Sequence, residues 1–108
     1  MTTYYFIAAS KKFLTEEEPL EEILKERRRN YKENNKEIDF WLLINPSFLK
    51  SPKFIELSKK IPFPTAAVVS TDKKFITFLK LRLEFVAFGE FECPSPEIED
   101  ALAVDSIT

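Results

Sequence analysis

The side chains that do most biological chemistry are sparse in this chain. Histidine is absent, which removes Ser-His and Cys-His nucleophile arrangements and the commonest metal ligand. A bundle-type diiron carboxylate site needs paired Glu-x-x-His motifs and cannot be built here. The lone cysteine, Cys93, stands beside Pro94 with no helix N-terminus or obvious base, so a reactive thiolate is not expected. Gly89 is the only glycine, which excludes a glycine-rich phosphate loop. Carboxylates are plentiful, and an enzyme using them alone is the one catalytic reading left. However, Glu16-Glu17-Glu18 and Glu21-Glu22 read first as a solvated helix start that suits the dipole. No catalytic residue, metal or cofactor is expected.

Two charged residues stand in apolar surroundings. Asp39 opens the run Ile38, Asp39, Phe40, Trp41, Leu42, Leu43, Ile44, which closes at Asn45-Pro46. Such a run reads as a strand covered on both faces. Alternation puts Ile38, Phe40, Leu42 and Ile44 on one face and Asp39, Trp41 and Leu43 on the other. Arg82 lies in a helix expected from Lys73 to about Val86, where Thr77, Lys80 and Glu84 cluster as the wet face at about 100° per residue. Arg82 then falls near the centre of the apolar arc. It is either a structural arginine, paired with an acid such as Asp39 or reaching the sheet rim, or an anchor for a partner protein. Arginine and aromatics are the residues enriched at such anchors. Arg27-Arg28-Arg29 reads as an exposed face partly paired with Glu22, Glu26 and Glu33, or as a docking patch for an acidic partner. Arg27 is favoured for docking because it shares a stripe with Leu20, Ile23, Leu24 and Tyr31.

The elements that position these residues follow in order. Thr3–Ser10 is a β-rich first strand, and Phe13 and Leu14 in the next connection tuck into the core. Thr15 and Glu18 have capping-box spacing, and a helix runs from about Pro19 to the stop at Asn34-Asn35. Pro52–Ile61 is a short second helix, broken by Pro62 and Pro64. Thr65–Thr71 is a small-residue strand suited to a central place, where Ala66 and Ala67 admit a close neighbour. Ser70-Thr71-Asp72 supplies caps for the third helix. Ala87–Cys93 is a last strand, with Gly89 at a bend or bulge. The order β-α-β-α-β-α-β by itself favours parallel pairing by right-handed crossovers. The single glycine and the lack of a glycine-rich strand-to-helix loop argue against a doubly wound nucleotide-binding fold. An α+β fold is therefore expected, one four-stranded mixed or mainly antiparallel sheet packed with three helices. Residues 1–96 form a single domain, and residues 97–108 form an irregular, exposed C-terminal tail.

A chain of 108 residues suffices for one core without disulfides. Sixteen basic residues against eighteen acidic ones leave a net charge of −2, which makes no case for nucleic acid or an anionic membrane. No apolar stretch approaches spanning length, so no direct membrane insertion is expected. The start MTTYYFIAAS lacks the basic region of a leader, and the single cysteine fits a reducing compartment. A soluble intracellular domain is expected.

The opening MTTYYFIAAS-KKFL, the block EEEPLEEILKERRRNY, then NKEIDFWLLINPSFL, AAVVSTDKKFITFLKLRLEFV and GEFECPS together resemble one family. It is the small accessory subunit of the aerobic magnesium-protoporphyrin IX monomethyl ester cyclase, found in cyanobacteria and as a reading frame of algal plastids. The resemblance runs from Met1 to about Pro96. It implies a non-catalytic accessory or assembly factor that supports protochlorophyllide formation in chlorophyll biosynthesis. The implied partner is the separate, membrane-associated diiron subunit that carries the chemistry. Asp39, Phe40 and Arg82 sit where the family's partner-binding residues are expected, with Trp41 as a neighbour. The implied location is the plastid stroma or the cyanobacterial cytoplasm, at membranes only through the partner. The alternative is a carrier module that contacts a tetrapyrrole through its aromatic surface.

Overall fold

The computed structural model describes residues 1–18 and 20–107; the expectations placed on Pro19 and Thr108 lie outside them. Four strands form one antiparallel sheet: β1 (Thr2–Ser10), β2 (Phe40–Ile44), β3 (Thr65–Ser70) and β4 (Ala87–Cys93), in the order β2-β3-β1-β4. Helix α1 (Glu21–Glu33) links β1 to β2, and α3 (Lys73–Leu83) links β3 to β4. The connection between β2 and β3 holds only a 3-10 turn at Ser47–Lys50 and α2, a single turn at Ile55–Ser58. The result is the split β-α-β arrangement, antiparallel throughout because each helix crossover skips a strand. β3 is central and buried along its whole length, as its small residues predict. β2 lies at the sheet edge.

Alternation divides the core into two layers. Ile7, Ala9, Phe40, Ala66 and Val68 face α1 and α3, meeting Leu20, Leu24, Tyr31, Phe75, Ile76, Leu79 and Leu83. Phe6, Ala8, Leu43, Ala67, Val69 and Phe91 face the other way and meet Phe48, Leu49, Phe54, Ile98 and Ala101. The second layer is centred on aromatic rings: Phe6 packs edge-on against Phe48 and Phe54 at 4.9 and 5.1 Å. Gly89 belongs to this layer for a steric reason. It pairs with Phe6 in an unbroken ladder and lacks the positive φ of a bulge glycine. A Cβ there would come within 3.0 Å of the Phe6 ring. The expected bend at Gly89 is therefore replaced by a regular pair that leaves room for an aromatic ring.

Other local expectations are corrected. Thr15 does not cap α1; its hydroxyl donates to the Lys11 carbonyl in a π-type turn at Phe13–Glu17. The N-cap of α1 is Leu20, which has no side-chain cap bond. Asn35, at φ 52, takes the left-handed conformation that asparagine tolerates, and the Lys36 amide closes on the Tyr31 carbonyl. The segment after Pro94 has little regular structure but is not all exposed, because Ile98 and Ala101 are buried. Its end is tied to β2 through the Asn45 side chain, which donates to the carbonyls of Asp105 and Ser106. An apolar face of the sheet covered only by the Ser47–Lys50 turn and the single turn of α2 needs this further cover.

Candidate functional site

Asp39 lies before β2 begins, on an extended approach where strand alternation does not yet hold. It turns toward α1, and the Tyr31 hydroxyl donates to Asp39 Oδ1 at 2.8 Å. Tyr31 also packs edge-on against Phe40, ring centroids 5.4 Å apart. Asp39 and Phe40, expected on opposite faces, thus meet the same residue on the same side of the sheet. Phe40 is 1 % exposed, wedged between Tyr31 and Phe75. It supports this surface from beneath and presents no area of its own. Trp41 points to the other face, against the second core layer.

Arg27 completes the cluster. Its guanidinium lies 3.8 Å from the Phe75 ring centroid, donates to the Tyr31 hydroxyl at 2.7 Å and to Asp72 Oδ2 at 2.9 Å. Arg27 Nε is buried and has no partner among the described residues. Asp72 is the N-cap of α3, its Oδ1 accepting from the amides of Lys74 and Phe75. Burial pushes the Asp72 carboxyl up, but those two amides and the Arg27 guanidinium outweigh it and hold its pKa below the ordinary 3.8. Lys36 stands 3.9 Å from Asp39. The chain Asp72–Arg27–Tyr31–Asp39 therefore ties α3, α1 and the start of β2 together along an open groove of about 470 Å³ that also takes in Ile23 and Phe78.

Arg82 is not in this cluster and does not face inward. It is exposed and makes no ion pair among the described residues. The core-facing arc of α3 is Phe75, Ile76, Leu79 and Leu83. Phe78 and Leu81, which the helical wheel puts in the apolar arc, are 51 % and 70 % exposed. The wet face expected at Thr77, Lys80 and Glu84 is present, with Thr77 and Glu84 exposed and Lys80 Nζ 3.6 Å from the Phe88 ring centroid. Leucine and phenylalanine around the rest of the helix give it an apolar arc wider than the core-facing side. The helix also stops at Leu83. Glu84 adopts φ 59, ψ −57, and the Phe85 amide donates to the Leu83 carbonyl at 2.6 Å. This is a γ-turn of the rare, strained kind. It leaves Phe85 82 % exposed.

Among the described residues, no group of three or more Cys, Asp or Glu side chains is placed to hold a metal ion. No described helix is long and apolar enough to cross a membrane. Tyr31, Asp72, Phe78, Leu81 and Phe85 were not singled out as site residues from the sequence. The signal that could have found the last three is an apolar helix with two greasy sides on a sheet that can bury only one.

Known proteins match this architecture over nearly all of its length. A "Ycf54-like protein" of Synechocystis is 59 % identical over 103 residues, covering 95 % of this chain and 77 % of that protein. "Protein YCF54, chloroplastic" of Arabidopsis thaliana is 42 % identical over 108 residues, and the chain spans 49 % of its length. The crystal structure of the All0216 protein from Nostoc superposes with a TM-score of 0.94 at 53 % identity, covering 97 % of both chains. The family model described as "Ycf54 protein" matches residues 2–93, every strand and helix of the fold, and the chain belongs to the Ycf54 family.

Proposed function

We propose that this protein is a non-catalytic accessory factor of the oxidative magnesium-protoporphyrin IX monomethyl ester cyclase, binding its diiron catalytic subunit and so supporting protochlorophyllide formation. The binding face is the outer surface of α3 together with the Arg27–Asp39 cluster beside it. One observation carries the reading: Phe78 and Leu81 on α3 and Phe85 just past its end stand 51 %, 70 % and 82 % exposed, with Arg82, exposed and without an ion pair among the described residues, between them. A folded domain gains nothing from three exposed apolar side chains in a row, whereas interface cores are built from such side chains and arginine. Family membership supports the reading, as does a chain with no histidine to supply a diiron centre of its own. The protein works in the plastid stroma or the cyanobacterial cytoplasm and reaches membranes through its partner.

The test is affinity capture with the tagged full chain from a chlorophyll-making cell. Recovery of the diiron subunit, and its loss with Leu81→Asp, is the expected result. Absence of that subunit from the wild-type capture overturns the proposal. Titration with magnesium-protoporphyrin IX monomethyl ester distinguishes a carrier, which gives a saturable spectral shift in the isolated protein.

A further inference from the structure

We infer that the element of the partner seated on α3 is an amphipathic helix, lying along the Phe78–Phe85 line with acidic residues on its flanks. This rests on the partner-binding reading above and adds what that partner must present.

The backbone decides the class of element. α3 satisfies its own main-chain groups, so the face it offers carries side chains and almost no free N–H or C=O. A strand or loop laid against Phe78 and Leu81 loses water from its own amides without gaining partners, and that leaves buried polar groups unpaired. A helix closes its hydrogen bonds internally and can cover an apolar stripe without that cost. The spacing agrees: at about 100° per residue Phe78 and Leu81 lie within about 60° of each other, the i, i+3 ridge that packs into a helix groove. Phe85, at i+7 from Phe78, is held outward by the turn at Glu84. The hollow between α1 and α3, where Phe78 forms one wall and Ile23 the other, supplies a trough for the partner's side chains.

Charge fixes the flanks. Lys74 and Arg82, eight residues apart on the exposed side of α3, make no ion pair among the described residues. A helix with a Glu or Asp reaching each end of the stripe satisfies these groups. A bilayer fits less well, because a flat surface cannot enter a trough.

The test places a photo-reactive phenylalanine analogue at Leu81, and separately at Phe85, in the full chain bound to the diiron subunit in detergent. Cross-links should map to one segment with apolar residues at i, i+3 or i+4, and i+7 and with acids beside them. Arg82→Glu should weaken capture about tenfold or more, and a lysine in place of the facing acid should restore it. Cross-links to a segment lacking that pattern overturn the inference while the partner reading stands. So does capture that survives Leu81→Asp and Phe85→Asp yet is lost with Arg27→Ala. If wild-type chain captures no subunit, both readings fall. If it instead pellets with phosphatidylglycerol vesicles, and Phe85→Asp abolishes this, the face is a lipid surface.

Discussion

Tyr31 donates its hydroxyl proton to Asp39 at 2.8 Å while accepting a hydrogen bond from Arg27 at 2.7 Å. One buried phenol thus orients an anion and a cation from different elements. Without it, Arg27 and Asp39 have no common partner on α1. Tyr31→Phe keeps the ring packing on Phe40 and removes both bonds, together with the longer one that Lys36 Nζ donates to the same hydroxyl at 3.3 Å. It should cost about 1 kcal/mol in urea unfolding and weaken capture of the diiron subunit without abolishing it. Unchanged stability and capture together would show that the hydroxyl is idle.

Asp72 provides a pH signature of the same cluster. Its pKa is depressed in the folded state, so its stabilising effect is complete above the unfolded carboxyl value and is lost as pH falls through the lower, folded value. The wild type should therefore exceed Asp72→Asn in stability at pH 6. The gap should close as pH falls below about 4. A gap that persists at pH 2 assigns the difference to cap geometry and removes the Arg27 ion pair from the account.

Phe40 and Arg82, two of the three residues that the resemblance ties to partner binding, should fail differently. Phe40 is a 1 % exposed wedge between two rings, and Phe40→Ala should cost about 3–5 kcal/mol of stability. Arg82 is exposed and unpaired, so Arg82→Ala should leave the melting temperature within a degree or so yet cost about 2 kcal/mol in capture. Thermal melts and binding titrations on the same samples separate the two. An Arg82→Ala protein that unfolds would place the arginine in the fold after all.

Much of this fold is legible in the sequence because single residues leave one solution. The run Phe40–Ile44 has to be a strand, and Leu20, Leu24, Arg27 and Tyr31 share a helix face. Strict alternation of strand and helix by itself favours parallel pairing. Only the lack of a glycine-rich crossover loop turns the reading toward a mixed or mainly antiparallel sheet, which the structure makes antiparallel throughout. The site is less legible. Asp39 was assigned by strand alternation, which does not govern a residue one step before the strand. Arg82 was placed on a helix whose apolar arc exceeds the area a sheet can cover, and no wheel tells which part stays wet. The burial of Ile98 is likewise a tertiary decision, set by the open aromatic layer beneath it.

Gly89→Ala tests the aromatic layer. The added Cβ meets the Phe6 ring at 3.0 Å, and Phe6 is boxed by Phe48, Phe54 and Phe91. With no direction in which to yield, overpacking should cost about 1–3 kcal/mol. A neutral or stabilising result in a denaturant melt would mean that the ring relaxes freely.

The strained turn at Glu84 gives a prediction in which stability and function part ways. A non-glycine residue at φ 59 and ψ −57 is held against its preference. Glycine adopts that backbone without the Cβ clash, so Glu84→Gly should raise unfolding stability by up to about 1 kcal/mol, the gain trimmed by the freer unfolded chain. The same freedom lets Phe85 leave the outward position that the turn enforces. If that position serves docking, the stabilised variant binds the diiron subunit more weakly than wild type, with a faster off-rate. If it binds equally well, the strain serves another end, and Phe85 contributes little to the interface. A variant that is more stable and still impaired cannot be explained by misfolding, which is why this substitution tests the α3 face more sharply than any deletion.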